Sequence, residues 1–273
     1  MRRFRVDMGN WHVFARGARR LELFRDKEDY LTFICLLQYA LAISGCILWA
    51  FTLMTNHYHL VLRGSSAQLT ACMRRLNMMY STYHNRKYGM VGHAFDGPYK
   101  AYLQGSILLL LRCIAYVFLN PVTAGFASRP EEYPWNCYRS FVGLPGSPIS
   151  VDPSPLMEEV DPDLKNAWNR FYLAMEREAV RCKDKPNRGL TMVEIHSQQF
   201  EWLLEYAREN AKHLAGQDPT VVAMYWARQC GISPRAISSI LGDRSPVQVS
   251  HTVSDFRSKV SKNPDLEKHL RLP

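Results

Sequence analysis

Two histidines, His57 and His59, sit two positions apart in 53-LMTNHYHLVLRG-64, inside what otherwise reads as a buried strand. Alternate residues of a strand face one side, so both imidazoles project together while Tyr58 points the other way. Two imidazoles on one face can share a divalent metal, and two half-exposed surface histidines would show the same spacing. In 112-RCIAYVFLNP-121, Tyr116 and Asn120 lie four apart on a helix, one turn apart on one face. An amide oxygen is a hard donor suited to Mg²⁺ or Mn²⁺, and imidazole accepts Mn²⁺ as well. A phenol beside such an ion is favoured as the phenolate, which is a nucleophile. The helix taken alone equally allows a core aromatic at Tyr116 and a helix-ending residue at Asn120.

The elements that must position these groups follow from pattern. Residues 11-WHVFAR-16 alternate as a first strand, and 17-GARR-20 is a glycine-led basic turn. Asp26 caps a helix over 27–43 that Gly45 ends. A dense β-type run, 46–54, turns at Thr55-Asn56 and returns as the strand 57–63. A helix over about 66–88, a strand over 98–104 and a helix over 106–120, stopped by Pro121, complete the order. That order predicts an α+β fold, an antiparallel sheet with helices packed on one face. Residues 143–155, rich in Pro and Gly, read as a linker, followed by one amphipathic helix near 161–182. A second, basic linker, 183-KDKPNRG-189, leads to a helical C-terminal module.

The 273-residue chain carries a net charge of +9, and its pI is near 9.2. The positive charge is concentrated in residues 1–142, with 17 Lys/Arg against 8 Asp/Glu, which points to an acidic partner such as nucleic acid. Seven scattered cysteines without a C-x-x-C pair argue against a zinc cluster or a disulfide framework. The start of the chain lacks the apolar core of a secretory signal. Residues 30–62 hold no Asp, Glu, Lys or Arg, but Ser44-Gly45 and both histidines interrupt the run, so a helix and two strands explain it rather than a membrane span. His84 and His93 read as surface or loop histidines.

Taken together, these pieces resemble the histidine–hydrophobic–histidine (HUH) single-tyrosine transposases, in particular their REP-associated branch. The resemblance is carried by WHVFARGARRLELF, LMTNHYHLVLRG, 85-NRKYGMVGHAFDGPYKA-101 and 115-AYVFLNPVTAG-125, in order over roughly residues 8–142. It implies a ferredoxin-like HUH endonuclease domain over 1–142; composition and pattern add a linker with one amphipathic helix over 143–190 and a helical domain over 191–273. It implies Tyr116 as nucleophile, with His57, His59 and Asn120 holding Mg²⁺ or Mn²⁺. Members cleave single-stranded DNA, form a 5′-phosphotyrosine bond and rejoin strands without ATP. Thr55 stands where the branch usually has proline, and Pro98 where it commonly has arginine. Single-stranded or hairpin DNA is the implied partner, a homodimer is compatible with the resemblance, and a cytoplasmic, nucleoid-associated location is expected, without membrane.

The expected DNA contacts are Arg16, Arg19, Arg20, Arg74, Arg75, Arg86, Lys87 and Lys100, with nearby tyrosines able to stack bases. In the C-terminal part, 219–260 reads as three helices with turns at Gly231 and Gly242, a helix-turn-helix arrangement. It resembles the DNA-binding domain of the replication initiator DnaA at AMYWAR and DRSPVQVSH, with Arg244 and His251 at matching positions and Pro246 and Val247 in place of polar residues. Docked as a helix-turn-helix, it would contact duplex DNA through Arg244, Gln248, Ser250 and His251 on or near its recognition helix. A purely structural three-helix bundle is the alternative there. For the whole chain the rivals are a domesticated, non-catalytic DNA-binding regulator and a water-using hydrolase. The hydrolase would want a carboxylate base, and Asp96 is the only acidic residue between Asp29 and Glu131.

Overall fold

A computed structural model describes residues 6–184 and, beyond them, 200, 201, 203, 204, 207, 208, 216–229, 232–263, 266 and 270. The chain divides into two compact units, Met1–Gly189 and Leu190–Pro273. The first is α+β. Its antiparallel sheet contains β1 (Gly9–Arg16), β2 (Ile47–Met54), β3 (His57–Gly64) and β4 (Lys100–Gln104) in the order β2-β3-β1-β4. Helix α1 (Lys27–Ser44) joins β1 to β2, α2 (Ser66–Tyr88) joins β3 to β4, and α3 (Ile107–Thr123) follows β4.

Local signals set the helix ends. Asp26 accepts from the Asp29 N–H while the Asp29 carboxylate accepts from the Asp26 N–H, a capping box, and Ser65 with Gln68 repeats the device on α2. Gly45 and Gly89 close the two helices in the left-handed region, at φ 70° and 61°. On the sheet, β1 pairs Phe14 with His59 and Arg16 with His57, while β2 sets Thr52 against His59.

The helices are not confined to one face, which corrects the sequence expectation. Tyr58 packs on Phe33 of α1 and donates to Asn77 of α2. Its neighbour His59 points the opposite way, towards Tyr116 of α3. Hence α1 and α2 cover one side of the sheet and α3 the other. The reason lies in the segment after α3. Three helices follow it: α4 (Tyr138–Phe141), α5 (Ser154–Val160) and α6 (Leu164–Asp184). Helix α6 packs along α3, and an aromatic chain, Phe118–Phe141–Phe171, joins α3 through α4 to α6 at centroid separations of 5.3 and 5.0 Å. Residues 143–184, expected as a linker around one helix, thus bury Leu156, Met157 and Phe171 within the first unit. Lying between the sheet and α6, α3 has no solvent stripe, which explains why almost every residue of 109–121 is buried.

Pro121 does not stop α3; the helix runs on to Thr123. Proline has no N–H, so the Val117 carbonyl loses its i+4 donor. Thr52 of β2 replaces it, its hydroxyl donating to Val117 O at 2.7 Å. The last turn then closes through Ala124 N–H to Asn120 O and Phe126 N–H to Pro121 O.

In the second unit, α7 (Pro219–Gln229), α8 (Pro234–Leu241) and α9 (Pro246–Ser261) bury Val222, Trp226, Ile237, Val249, Val253 and Phe256. Ser233 and Ser245 cap α8 and α9, and Gly242 at φ 75° makes the turn between them. The expected turn at Gly231 and most of the basic linker lie outside the described residues. Among the described residues no helix is long and apolar enough to cross a membrane. The charge-free run of residues 30–62 is α1, β2 and most of β3.

Candidate active site

The register places His12 and Phe14 of β1, His57 and His59 of β3 and Thr52 of β2 on the sheet face that α3 covers. Tyr116 and Asn120 descend onto them from α3. The Tyr116 ring meets His59 edge-on at a centroid separation of 5.4 Å and His12 at 5.9 Å. His57 and His59 stand at 5.0 Å, nearly perpendicular. The Asn120 side chain lies beside His57, and both Asn120 and Tyr116 are buried. The four residues singled out from the sequence therefore form one cluster.

Each imidazole is held by a second group. His57 Nδ1 lies 2.7 Å from Asn56 Oδ1 in the β2–β3 turn. His59 Nδ1 lies 3.0 Å from His12 Nε2. Burial disfavours the imidazolium at all three histidines. It brings His12 to a pKa of about 4, and His57 to about 4 with the Arg16 charge assisting, and it holds His59 well below the usual range. Neutral imidazoles keep a lone pair for a ligand. His57, His59 and the Asn120 amide oxygen form a two-nitrogen, one-oxygen donor set, chemistry that suits Mn²⁺ or Mg²⁺. Among the described residues no group of three or more His, Cys, Asp or Glu side chains is placed to hold a metal.

His12 has no counterpart among the expected site residues. The signal for it is the alternation of 11-WHVFAR-16, which sets His12, Phe14 and Arg16 on one face. Nothing in the sequence says that this face meets the HYH face. His84, expected at the surface, is instead buried in α2 between Tyr80 and Tyr88.

The basic residues separate. Arg16, exposed at the end of β1 opposite His57, and Lys100, at the start of β4 opposite Phe14, share the face of Tyr116. Arg19 and Arg20 form an exposed turn at φ 54° and 63°, a strained pair for non-glycine residues. Arg74, Arg75 and Arg86 are exposed on α2, which packs against the opposite face, and Arg75 lies over the Tyr39 ring at 5.7 Å. Lys87 is committed elsewhere. Its ammonium meets Asp26, Glu28 and Asp29 at 2.8–3.0 Å and is neutralised there, because the residues that start α1 lie beside the end of α2. In the second unit, Gln248 closes the Ser245 capping box and Ser250 donates to Pro246 O, whereas His251 is exposed on α9 and Arg244 stands just before it.

No family model and no curated protein matches the chain. One solved structure, of a REP-associated tyrosine transposase bound to a REP hairpin, is similar over 56% of this chain and 91% of that one, at 15% identity and a TM-score of 0.44. A likeness at that score leaves the chemistry to be argued from the residues of this chain.

Proposed function

We propose that the first unit is a metal-dependent single-stranded DNA endonuclease and strand transferase, a transposase chemistry, with Tyr116 as nucleophile. The observation that carries this reading is the packing of a phenol edge-on against His59, with Asn120 one turn further along α3 and buried beside His57. A binding protein needs no phenol set among neutral imidazoles.

His57, His59 and Asn120 would hold a divalent cation, Mg²⁺ or Mn²⁺, which when bound supplies Lewis-acid polarisation of a phosphodiester. Arg16 and Lys100, on the same face, draw the DNA backbone in. The Tyr116 oxygen attacks phosphorus, the P–O3′ bond breaks, and the 3′ oxygen takes up a proton and leaves as a hydroxyl. The 5′-phosphotyrosine retains the bond energy, so a 3′-hydroxyl attacking it re-forms a phosphodiester and releases Tyr116 without ATP. The burial of Tyr116 keeps water from competing for that intermediate. In the second unit, α8 and α9 form the helix pair that a helix-turn-helix presents to duplex DNA, with Arg244 and His251 at its accessible end.

The test mixes wild type and Tyr116→Phe with end-labelled hairpin and single-stranded oligonucleotides and Mn²⁺, then resolves covalent products on denaturing gels. The expected result is an adduct and a free 3′-OH product that require Tyr116 and vanish with EDTA. Tight hairpin binding with neither adduct nor cleavage in Mg²⁺ or Mn²⁺ would overturn the enzyme reading in favour of a non-catalytic regulator.

A further inference from the structure

We propose that His12 is a positioning residue: its Nε2 accepts the Nδ1 proton of His59 and so fixes His59 with an unprotonated Nε2 for the metal. This rests on the reading of His57 and His59 as ligands.

Proton placement sets which nitrogens face a cation. Asn56 offers His57 Nδ1 a carbonyl oxygen, which can only accept, so neutral His57 carries its proton on Nδ1 and none on Nε2. The 3.0 Å contact between His12 Nε2 and His59 Nδ1 holds one proton between two nitrogens. Were His12 the donor, neutral His59 would carry its own proton on Nε2, closing that nitrogen to a cation. With His59 as the donor, both imidazoles of the HYH pair adopt the same tautomer and both offer Nε2.

The surroundings of His12 suit the task. It lies on a central strand, opposite Val61 of β3 and Tyr102 of β4, and only 2% of it is exposed. Its ring plane lies within 25° of that of His59, and its edge meets the Tyr116 ring. Hydrogen bonding to the distal nitrogen of a ligating histidine sets its orientation and raises its basicity, and loss of such a partner costs about 10–100-fold in metal affinity.

The experiment uses full-length wild type, His12→Phe and His12→Gln. Phenylalanine removes the acceptor, while the glutamine amide oxygen can replace it. Histidine side-chain ¹⁵N–¹H multiple-bond spectra, assigned with His57→Gln and His59→Gln, read the tautomer without metal, and electron paramagnetic resonance follows Mn²⁺ titration. The expected result is His59 protonated on Nδ1 in wild type and a loss of that single tautomer in His12→Phe. The Mn²⁺ dissociation constant should rise by roughly 10–100-fold and largely recover in His12→Gln. Wild-type His59 protonated on Nε2, or wild-type Mn²⁺ affinity in His12→Phe, would overturn the proposal while leaving the ligand reading intact. Absence of Mn²⁺ binding by wild type would instead overturn the ligand reading, and this proposal with it. Should His12→Phe fail to fold, the wild-type tautomer and the Mn²⁺ affinity of His12→Gln decide.

Discussion

Replacing Thr52 by valine tests how α3 is held over the sheet. The shape of the side chain is nearly kept, and one hydrogen bond is lost. Because Pro121 has no N–H, the Thr52 hydroxyl at 2.7 Å takes the place of the missing helix donor to Val117 O. Thr52 is fully buried, so the variant leaves a carbonyl facing apolar neighbours. A buried unsatisfied carbonyl costs about 1–3 kcal/mol. At an m value of about 2–3 kcal/mol/M, the urea midpoint of the first unit should fall by roughly 0.3–1.5 M with m unchanged. A second substitution sharpens the reasoning. Pro121→Ala supplies an N–H that can bond Val117 O within the helix, so the cost of Thr52→Val should shrink markedly in that background. Tryptophan fluorescence follows the transition, with Trp11, Trp49, Trp135 and Trp168 in this unit. Equal losses with Pro121 present and in the Pro121→Ala background would refute the account, as would a Thr52→Val midpoint indistinguishable from wild type.

Other outcomes follow from the same geometry. Burial works against the Asp29 charge, but the Tyr88 hydroxyl, the Arg25 N–H, Lys87 and the Tyr83 hydroxyl outweigh it and hold the pKa below its ordinary value. The stability this confers is present above the unfolded carboxylate value of about 3.9 and is lost as pH falls through the lower folded value. Asp29→Asn should therefore cost about 2–3 kcal/mol at neutral pH and flatten the acid limb of the unfolding profile; an unchanged limb would argue against it. Gly17→Ala should be costly for a different reason, since a Cβ there would stand 2.1 Å from Leu21 O, within the backbone of the basic turn. About 1–3 kcal/mol of stability and a weaker affinity for single-stranded DNA are expected, measured by unfolding and by fluorescence anisotropy, and full retention of both would contradict the placement of that turn.

Much of this architecture can be read in the sequence where the signal is local. The Asp26 cap, Gly45, the Thr55-Asn56 turn and the alternation around HYH each depend on a few neighbouring residues, and the elements they mark are present. What a stretch of chain packs against is a different kind of information. The apolar run of α3 shows that it is buried, but not that the sheet lies on one side and α6 on the other. Pro121 reads as the end of that helix because the substitute donor, Thr52, lies 65 positions from the Val117 carbonyl it serves. His12 escapes the sequence pattern for a similar reason, since its partner His59 is 47 positions distant and only strand register brings them together. The local pattern thus yields the HYH pair and the phenol, but not the third imidazole that packs against them.

The strand order also bears on how the chain can acquire its structure. The hairpin of β2 and β3 is joined by two residues and can form as soon as it is synthesised. β1, made earlier, must wait: its pairing with β3 joins residues 41 to 55 positions apart, from Arg16–His57 to Gly9–Gly64, and its pairing with β4 reaches to Gln104. Loop closure over such spans has to precede any contact that rewards it, which makes this the slow step of folding. The cluster of His12, His57, His59 and Tyr116 is therefore complete only once β1 has slotted between its two neighbours. The chemistry proposed for that cluster would thus be withheld until β1 is paired.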